Sequence, residues 1–370
     1  MQPRAPRHRT GDDVSTIKKM TVTALRVPMA EPHRTAGGVV EESPLVAIDI
    51  TTSEAVTGHA LLFTYTVAAL MPTAQLVINL EPLIVGKELH PGALEHELAA
   101  KFRLIGAQGL VGMALAGIDM ALWDAMARTH QVPLASLLGY SPKRLQAYGA
   151  IGFDGVSGSA KTARDWVQKG FKGVKAKIGY ASIKEDLEVI RAIRKEIGPD
   201  SAMMLDYNQC LSPVEAIERI NILDAEGITW VEEPTLAHDF EGHARIASAC
   251  STPIQCGENW WGTLDMQKGV DARASDFIML DVMKIGGVTG WMRAAALGEA
   301  KGIRLSSHLW PEISAQLLSA TPTSHWLEYA NWWNEVMETA LELDAGVAVT
   351  SNQPGSGVSW RAGALEKFRV

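Results

Sequence analysis

Seven short apolar stretches between residues 173 and 330 each end on a side chain capable of chemistry, and the ends are evenly spaced. The stretches read "GVKAKI", "AMMLDYN", "ITWVEE", "PIQCGEN", "DFIMLDV", "IRLSSHL" and "SHWLEYA". Their polar ends are Lys177, Asp206, Glu232, Glu258, Asp281, His308 and Glu328, separated by 29, 26, 26, 23, 27 and 20 residues. Helix-like segments such as "IKEDLEVIRAIRKEIG" and "GWMRAAALGEAKG" fill the gaps, and Ser212-Pro213-Val214-Glu215 writes a capping box with proline in the first turn. Strand-helix units of this length favour a (β/α) barrel, while the local pattern alone leaves a doubly wound sheet as the alternative. Barrel strands deliver their C-terminal ends to one mouth, so residues one repeat apart become neighbours.

The upstream text differs in character. "MTVTALRVPM", "SPLVAIDITTS" and "AVTGHALLFTY" predict an antiparallel meander, and "HPGALEHELAAKF" and "VGMALAGIDMALWDAMARTH" predict helices, the second apolar on nearly all sides as a buried helix is. The predicted organisation is therefore a disordered leader over residues 1–19, an α+β unit over 20–140, a barrel over 141–330, and a turn-rich segment over 331–370 that returns to the first unit. A net charge of −8 with both signs interspersed offers no basic face for nucleic acid. No apolar run is read as a membrane span and no hydrophobic signal core opens the chain, which predicts a soluble, cytoplasmic protein. Cys210, Cys250 and Cys256 are odd in number and lack C-x-x-C spacing, so free thiols are expected.

Lys175 and Lys177 lie two apart on one strand and share a face. An exposed edge strand would explain them as protection against aggregation, whereas placement in a cavity would make one of them a tuned base. The acids decide between these. Asp206, Glu232 and Glu258 end successive repeats, and three carboxylates converging on one mouth suit a hard divalent cation, Mg2+ or Mn2+, better than three unrelated helix caps. Asp281, one repeat before His308, can accept a ring N–H and orient that imidazole. Asn208 shares the face of Asp206, where it can meet substrate or cap a loop. Glu233 points away from Glu232, to a supporting or surface role, and "KIGGVTG" fits no phosphate-binding spacing and reads as a barrel-lining turn.

The stretches "KAKIGY", "DYNQ", "WVEEPT", "GENW", "MKIGGVTGW", "SSHL" and "TPTSHWLE" resemble the enolase superfamily, specifically its mandelate racemase/muconate lactonizing enzyme branch. The resemblance implies a modified TIM barrel, (β/α)7β, with an N-terminal α+β capping domain completed by the C-terminal segment. It implies Mg2+ held by Asp206, Glu232 and Glu258, Lys177 as a base on one face of a carboxylate substrate, and His308, paired with Asp281, as the base on the other. Lys175 becomes a carboxylate-binding cation that depresses the pKa of Lys177, and Glu328 a hydrogen-bonding acid. The expected reaction is racemisation or epimerisation of a 2-hydroxy acid through an enediolate, chemistry in which Lys or His bases work with Mg2+. The same intermediate would support dehydration of an acid sugar with His308 as general acid. A non-catalytic binding protein and a Schiff-base aldolase using Lys177 are the more distant alternatives, and the second leaves the acidic triad idle. A homo-oligomer, an octamer by resemblance, is also expected.

Departures from the family pattern fall in the substrate pocket. Ala150 stands where the resemblance has a serine, His33 and Gly37 where it has valines, and Ala330 where it has a leucine, while Val40, Phe63, Tyr65 and Leu309 match. These changes predict weak handling of mandelate and preference for a more polar 2-hydroxy acid. Trp310, Trp332 and Trp333 are the residues able to restore an aromatic wall.

Overall fold

The computed structural model describes residues 14–35 and 38–370. Its N-terminal unit is an antiparallel sheet of β1 (Ile17–Thr35), β2 (Gly38–Thr52) and β3 (Thr57–Phe63), followed by α1 (Val67–Ile84), α2 (Pro91–Lys101), α3 (Gly109–Thr129) and the single turn α4 (Leu134–Leu137). β1 begins inside the stretch read from sequence as a leader, and Ile17 is fully buried there. Residues 1–13 and Gly37 lie outside the described residues. One face of the sheet packs on α3, and the approach is close: a Cβ at Gly58 would stand 2.3 Å from the Ala121 carbonyl.

Helix α1 did not stand out in the sequence because Pro72 and Pro82 interrupt it. By length and composition α1 and α3 could each cross a membrane, which corrects the sequence-based expectation that no run approaches that length. In this structure α3 is a core helix with 78% of its apolar window buried, and α1 buries Leu70, Ala74, Val77, Leu80 and Ile84 along one face.

The barrel follows as β4 (Arg144–Ile151), α5 (Gly155–Gln168), β5 (Gly173–Lys177), α6 (Ile183–Ile197), β6 (Ala202–Asp206), α7 (Pro213–Leu223), β7 (Trp230–Glu232) and α8 (Phe240–Ala249). It continues through β8 (Ile254–Cys256), α9 (Gly262–Ala272), β9 (Phe277–Asp281), α10 (Gly287–Lys301), β10 (Leu305–His308), α11 (Pro311–Ser319) and β11 (Ser324–Tyr329). Neighbouring strands pair in parallel and β11 pairs with β4, so the ring closes with eight strands and seven intervening helices, a modified TIM barrel under an α+β cap. Local signals support the units. Ser212 accepts the Glu215 N–H as the N-cap of α7, and α6 buries Val189, Ile190, Ile193 and Ile197 along one stripe.

Alternation along the strands stacks the interior in layers. Tyr148, Met204, Trp230, Met279 and Trp326 form a buried cluster inside the ring, and each lies two residues before Ala150, Asp206, Glu232, Asp281 or Glu328. An aromatic floor thus underlies the polar mouth. The C-terminal segment forms β12 (Glu342–Asp344) and β13 (Val347–Val349), which extend the sheet from β4, then α12 (Ala364–Phe368). It also reaches the cap, where Trp360 donates to Asp49 at 2.6 Å and Arg369 bridges Leu25. Cap and barrel are further joined where Asp119 of α3 accepts the Thr289 N–H at 3.0 Å and its hydroxyl at 2.5 Å. Gly287 permits that approach, since its φ is +71° and a Cβ would lie 2.3 Å from Asp119 Oδ2.

Candidate active site

The barrel brings the sequence-predicted residues into one ring. Going round it, β4 supplies Ala150, β5 Lys175 and Lys177, β6 Asp206, β7 Glu232, the end of β8 Glu258, β9 Asp281, β10 His308 and β11 Glu328. Register aligns the members directly: Ala150 faces Lys175, Lys177 faces Asp206, Asp206 faces Glu232, and Asp281 faces His308. The acids Asp206, Glu232 and Glu258 occupy the arc between Lys177 and His308, and Glu328 and Ala150 occupy the other arc.

Carboxylate oxygens of Asp206, Glu232 and Glu258 lie within 4.8 Å of one another and all three residues are buried. Around them, six buried acids (with Glu233, Asp281 and Glu328) face Lys175, Lys284, the partly buried Lys177 and His308. An all-oxygen donor set with excess negative charge fits a hard divalent cation. Gln255 and Trp230 donate to the free oxygen of Glu232 at 3.0 and 3.3 Å, and Asn208 donates its backbone N–H to Asp206 at 2.8 Å, which fixes both carboxylates.

Lys175 is buried, which excludes the edge-strand reading. Its Nζ lies 2.5 Å from Glu232, 3.0 Å from Glu328 and 3.7 Å from Asp206. Burial opposes its charge, but Glu232 and Glu328 outweigh this and hold its pKa well above the ordinary value. Lys177 donates to Asn208 Oδ1 at 2.6 Å and to Asp206 at 3.1 Å. Its pKa also moves upward: burial and the repulsion of Lys175 lower it, and Asp206 and Glu258 together outweigh them. The expected depression of Lys177 by Lys175 is thus a real contribution but not the net result among the protein's own side chains.

His308 Nδ1 sits 2.7 Å from Asp281 Oδ2, the orienting bond expected from sequence, and Nε2 is left 3.5 Å from Glu258 and 3.8 Å from Glu328. Asp281 is itself anchored by the N–H groups of Met283 and Lys284 and by the Tyr65 hydroxyl at 3.1 Å. Burial lowers the imidazole pKa, yet Glu258 and Asp281 raise it further, so the ring leans to its protonated form. Glu328 accepts the Leu309 N–H at 3.0 Å. Burial pushes its carboxyl up, but Lys175 and His308 hold it below the ordinary range, so it is an ion here rather than the hydrogen-bond-donating acid expected.

The mouth opens into a cavity of about 500 Å³ lined by His33, Val40, Phe63, Tyr65 and Met113 from the cap and by Lys177, Asn208, Glu258, Trp261, His308, Leu309 and Trp332 from the barrel side. A smaller recess of about 30 Å³ lies between Ala150, Lys175, Lys177, Glu328 and Ala330, under His33 and Trp332. Every predicted pocket residue that the structure describes is therefore at the site. Of the three tryptophans, Trp332 lines the cavity, its ring tilted at 43° to His33 with centroids 4.9 Å apart, while Trp310 and Trp333 are buried in the core. Glu233 is fully buried and receives Asn259 at 2.6 Å, so a surface role is excluded; burial and Glu258 push its carboxyl up to about 8.

Four contributors carried no signal in the sequence. Met113 and Trp261 read as core apolar residues. Asn259 and Lys284 bond each other at 2.6 Å, and the Lys284 ammonium stands 4.6 Å from the Tyr65 ring centre, behind the "KIGG" turn. Left-handed backbone also gathers here: Tyr65, Asn208, Gln209, Glu233, Leu309 and Trp310 all have φ between +36° and +66°. Such geometry costs of order 1–3 kcal/mol per residue and persists where the surroundings over-determine it.

Two family models match the chain: Mandelate racemase / muconate lactonizing enzyme, N-terminal domain, over residues 17–139, and Enolase C-terminal domain-like, over residues 158–364. Among solved structures, an enolase from Bradyrhizobium complexed with magnesium and mandelic acid is 40% identical, with a TM-score of 0.94 over 97% of this chain and 99% of that one. L-talarate/galactarate dehydratase of Salmonella typhimurium is 32% identical over 68% of this chain and 64% of its own length. D-galactarolactone cycloisomerase of Agrobacterium fabrum is 30% identical over 81% and 85%. These relatives are enzymes named for different reactions, and on both family models the chain is an enzyme of the enolase superfamily, in its mandelate racemase/muconate lactonizing enzyme branch.

Proposed function

We propose that the protein is a Mg2+-dependent racemase or epimerase of a 2-hydroxy carboxylic acid. The observation that carries this reading is the placement of Lys177 and His308 at separated points of one ring, both opening into the same cavity with the acidic triad between them. Mg2+ held by Asp206, Glu232 and Glu258 would supply the positive charge that makes a proton beside a carboxylate removable.

The chain's own groups do the rest. Lys175, pinned in the recess beside Glu328, meets the substrate carboxylate as a fixed cation and stabilises charge as the enediolate forms. Lys177 is raised by Asp206 and Glu258; with a cation offsetting both carboxylates, burial and Lys175 remain, and both lower it toward a working base. His308, its ring oriented by Asp281 and its protonated form supported by Asp281 and Glu328, returns a proton on its own face of the planar intermediate, and the exchange of roles runs the reaction backwards.

The cavity wall favours this reading over sugar-acid dehydration. Val40, Phe63, Met113, Leu309 and the ring faces of Trp261 and Trp332 form an apolar side against which each unpaired hydroxyl is costly, while His33, Tyr65, Asn208, Asn259 and Lys284 are the groups of the same cavity that a polyol would have to use. Dehydration keeps one specific support: a protonated His308 is placed to expel a β-hydroxyl as water, and the similar talarate/galactarate enzyme is named a dehydratase. The test is a panel of 2-hydroxy acids and C5–C6 sugar acids with Mg2+ in D2O, followed for α-deuterium incorporation and for 2-keto-3-deoxy products. Exchange and inversion of 2-hydroxy acids without keto product is the expected result. Keto product from sugar acids, with no exchange on the others, would replace the racemase reading by the dehydratase one.

A further inference from the structure

We propose that His33 is a specificity-determining residue that reads a second hydroxyl on an otherwise apolar 2-hydroxy acid. The inference rests on the racemase reading above and deepens it. His33 lies on the β1–β2 hairpin, in register with Val40, and lines both the main cavity and the recess above Lys175 and Lys177. Its Nε2 is buried and has no hydrogen-bond partner among the described residues. A buried polar atom left unpaired is costly, and the ring that carries it lines the space where substrate must sit.

The surroundings narrow what can satisfy it. Burial, then Lys177, push the imidazole down to about 3, so the ring is neutral. A neutral imidazole nitrogen carries either a proton or a lone pair, and a hydroxyl pairs with both, donating in one tautomer and accepting in the other. A second carboxylate is a poorer fit. The neutral ring brings no charge to meet it, and Lys175 and Lys177, the cations nearest His33 in the recess, already face Glu232, Glu328 and Asp206. The apolar body has its place against Trp332, Phe63, Met113 and Trp261.

The roof is also fixed well enough to discriminate. Ser43 donates to the Trp332 carbonyl at 3.1 Å, and the Phe153 N–H to the Arg34 carbonyl at 2.8 Å, one residue beyond His33. Preorganised groups discriminate because the unpaired site is already formed before substrate arrives.

The probes are mandelate and 3-phenyllactate, each beside its ring-monohydroxylated isomers. They are compared by kcat/KM for α-exchange with Mg2+ present and by calorimetric affinity in the full-length protein. At least one hydroxylated acid is expected to exceed its parent by about tenfold. In His33→Leu that ratio falls to about twofold or less, whatever happens to either value alone, and His33→Gln, which keeps a hydrogen-bonding head, retains part of it. No hydroxylated acid surpassing its parent in the native protein, or a ratio that survives in His33→Leu, overturns the assignment. If neither parent nor hydroxylated acids bind or exchange while sugar acids are dehydrated, the racemase reading itself has failed and this inference falls with it.

Discussion

The barrel mouth and the roof over it are built in different ways. At the mouth, Lys177, Asp206 and Glu232 and, across the ring, Asp281 and His308 sit on adjacent strands in direct register, all buried but the partly buried Lys177, with Lys177 bonded to Asp206 and His308 to Asp281. In the roof, His33 and Val40 come from a hairpin whose register slips between Pro28 and His33, Phe63 ends β3 and Tyr65 follows it, and all four line the substrate space. The mouth holds charge at set distances over an aromatic floor that keeps the local dielectric low; the roof holds shape. A change in the mouth should therefore alter the reaction, and a change in the roof should alter which acid undergoes it.

The largest effect should follow removal of the cation. Exhaustive chelation is expected to abolish α-exchange, with recovery on adding Mg2+, and full exchange in a demonstrably metal-free sample would refute the ligand role of Asp206, Glu232 and Glu258. Next come the bases. Lys177→Arg should lose exchange of one enantiomer by on the order of 10³-fold, within the range for general acid–base groups. His308→Asn should lose exchange of the other enantiomer while the Lys177 half-reaction persists. Equal loss for both enantiomers in either folded variant would break the picture of two independent faces.

Much of this mouth is legible in sequence because a barrel converts repeat spacing into neighbourhood. One residue per strand end suffices to name the ring. Net charge states are less accessible: Lys177 and Glu328 are set by distances to Asp206 and Lys175 that no spacing encodes. The roof is legible only where the resemblance reaches, since His33 and Trp332 are 299 positions apart and nothing local announces their contact. Lys284 and Asn259 were hidden because both follow strand ends by a short loop, where side-chain direction is unconstrained by alternation. β1 starts at Ile17 because burial in the sheet, rather than local composition, decides where its order begins.

The junction between the two regions supplies a pH test. Asp119 of the cap is buried on the N-terminal turn of α10, and burial pushes its carboxyl up to about 7 against the opposing bonds from Thr289. Its folded pKa is raised, so between about 4 and about 7 the native state keeps a proton that the unfolded chain has released. Stability from this group is full below that window and is lost as pH rises through it, by up to about 4 kcal/mol. Asp119→Asn removes the slope. Urea unfolding across pH 4.5 to 8 should show the variant gaining on the native protein as pH rises, and parallel curves would show that Asp119 ionises normally.

The smallest effect belongs to the contact that ties the roof to the barrel. Arg34 lies 3.9 Å from Asp154 with 60% and 24% of their side chains exposed, a pair worth at most about 1 kcal/mol. Asp154→Ala should therefore raise KM by less than about fivefold and leave kcat nearly unchanged. Gly152→Ala probes the same contact sterically, since its Cβ would press within 3.0 Å of the Arg34 carbonyl and displace the strand that carries His33. Its effect on KM should exceed that of Asp154→Ala, because moving a hairpin backbone costs more than losing a solvent-screened ion pair. Both variants leave Lys177, His308 and the acidic triad untouched, so kcat for a substrate that needs no hydroxyl contact should hold. A hundredfold fall in kcat with KM unchanged in either variant would mean that the roof takes part in proton transfer, and the division between a mouth that reacts and a roof that selects would no longer stand.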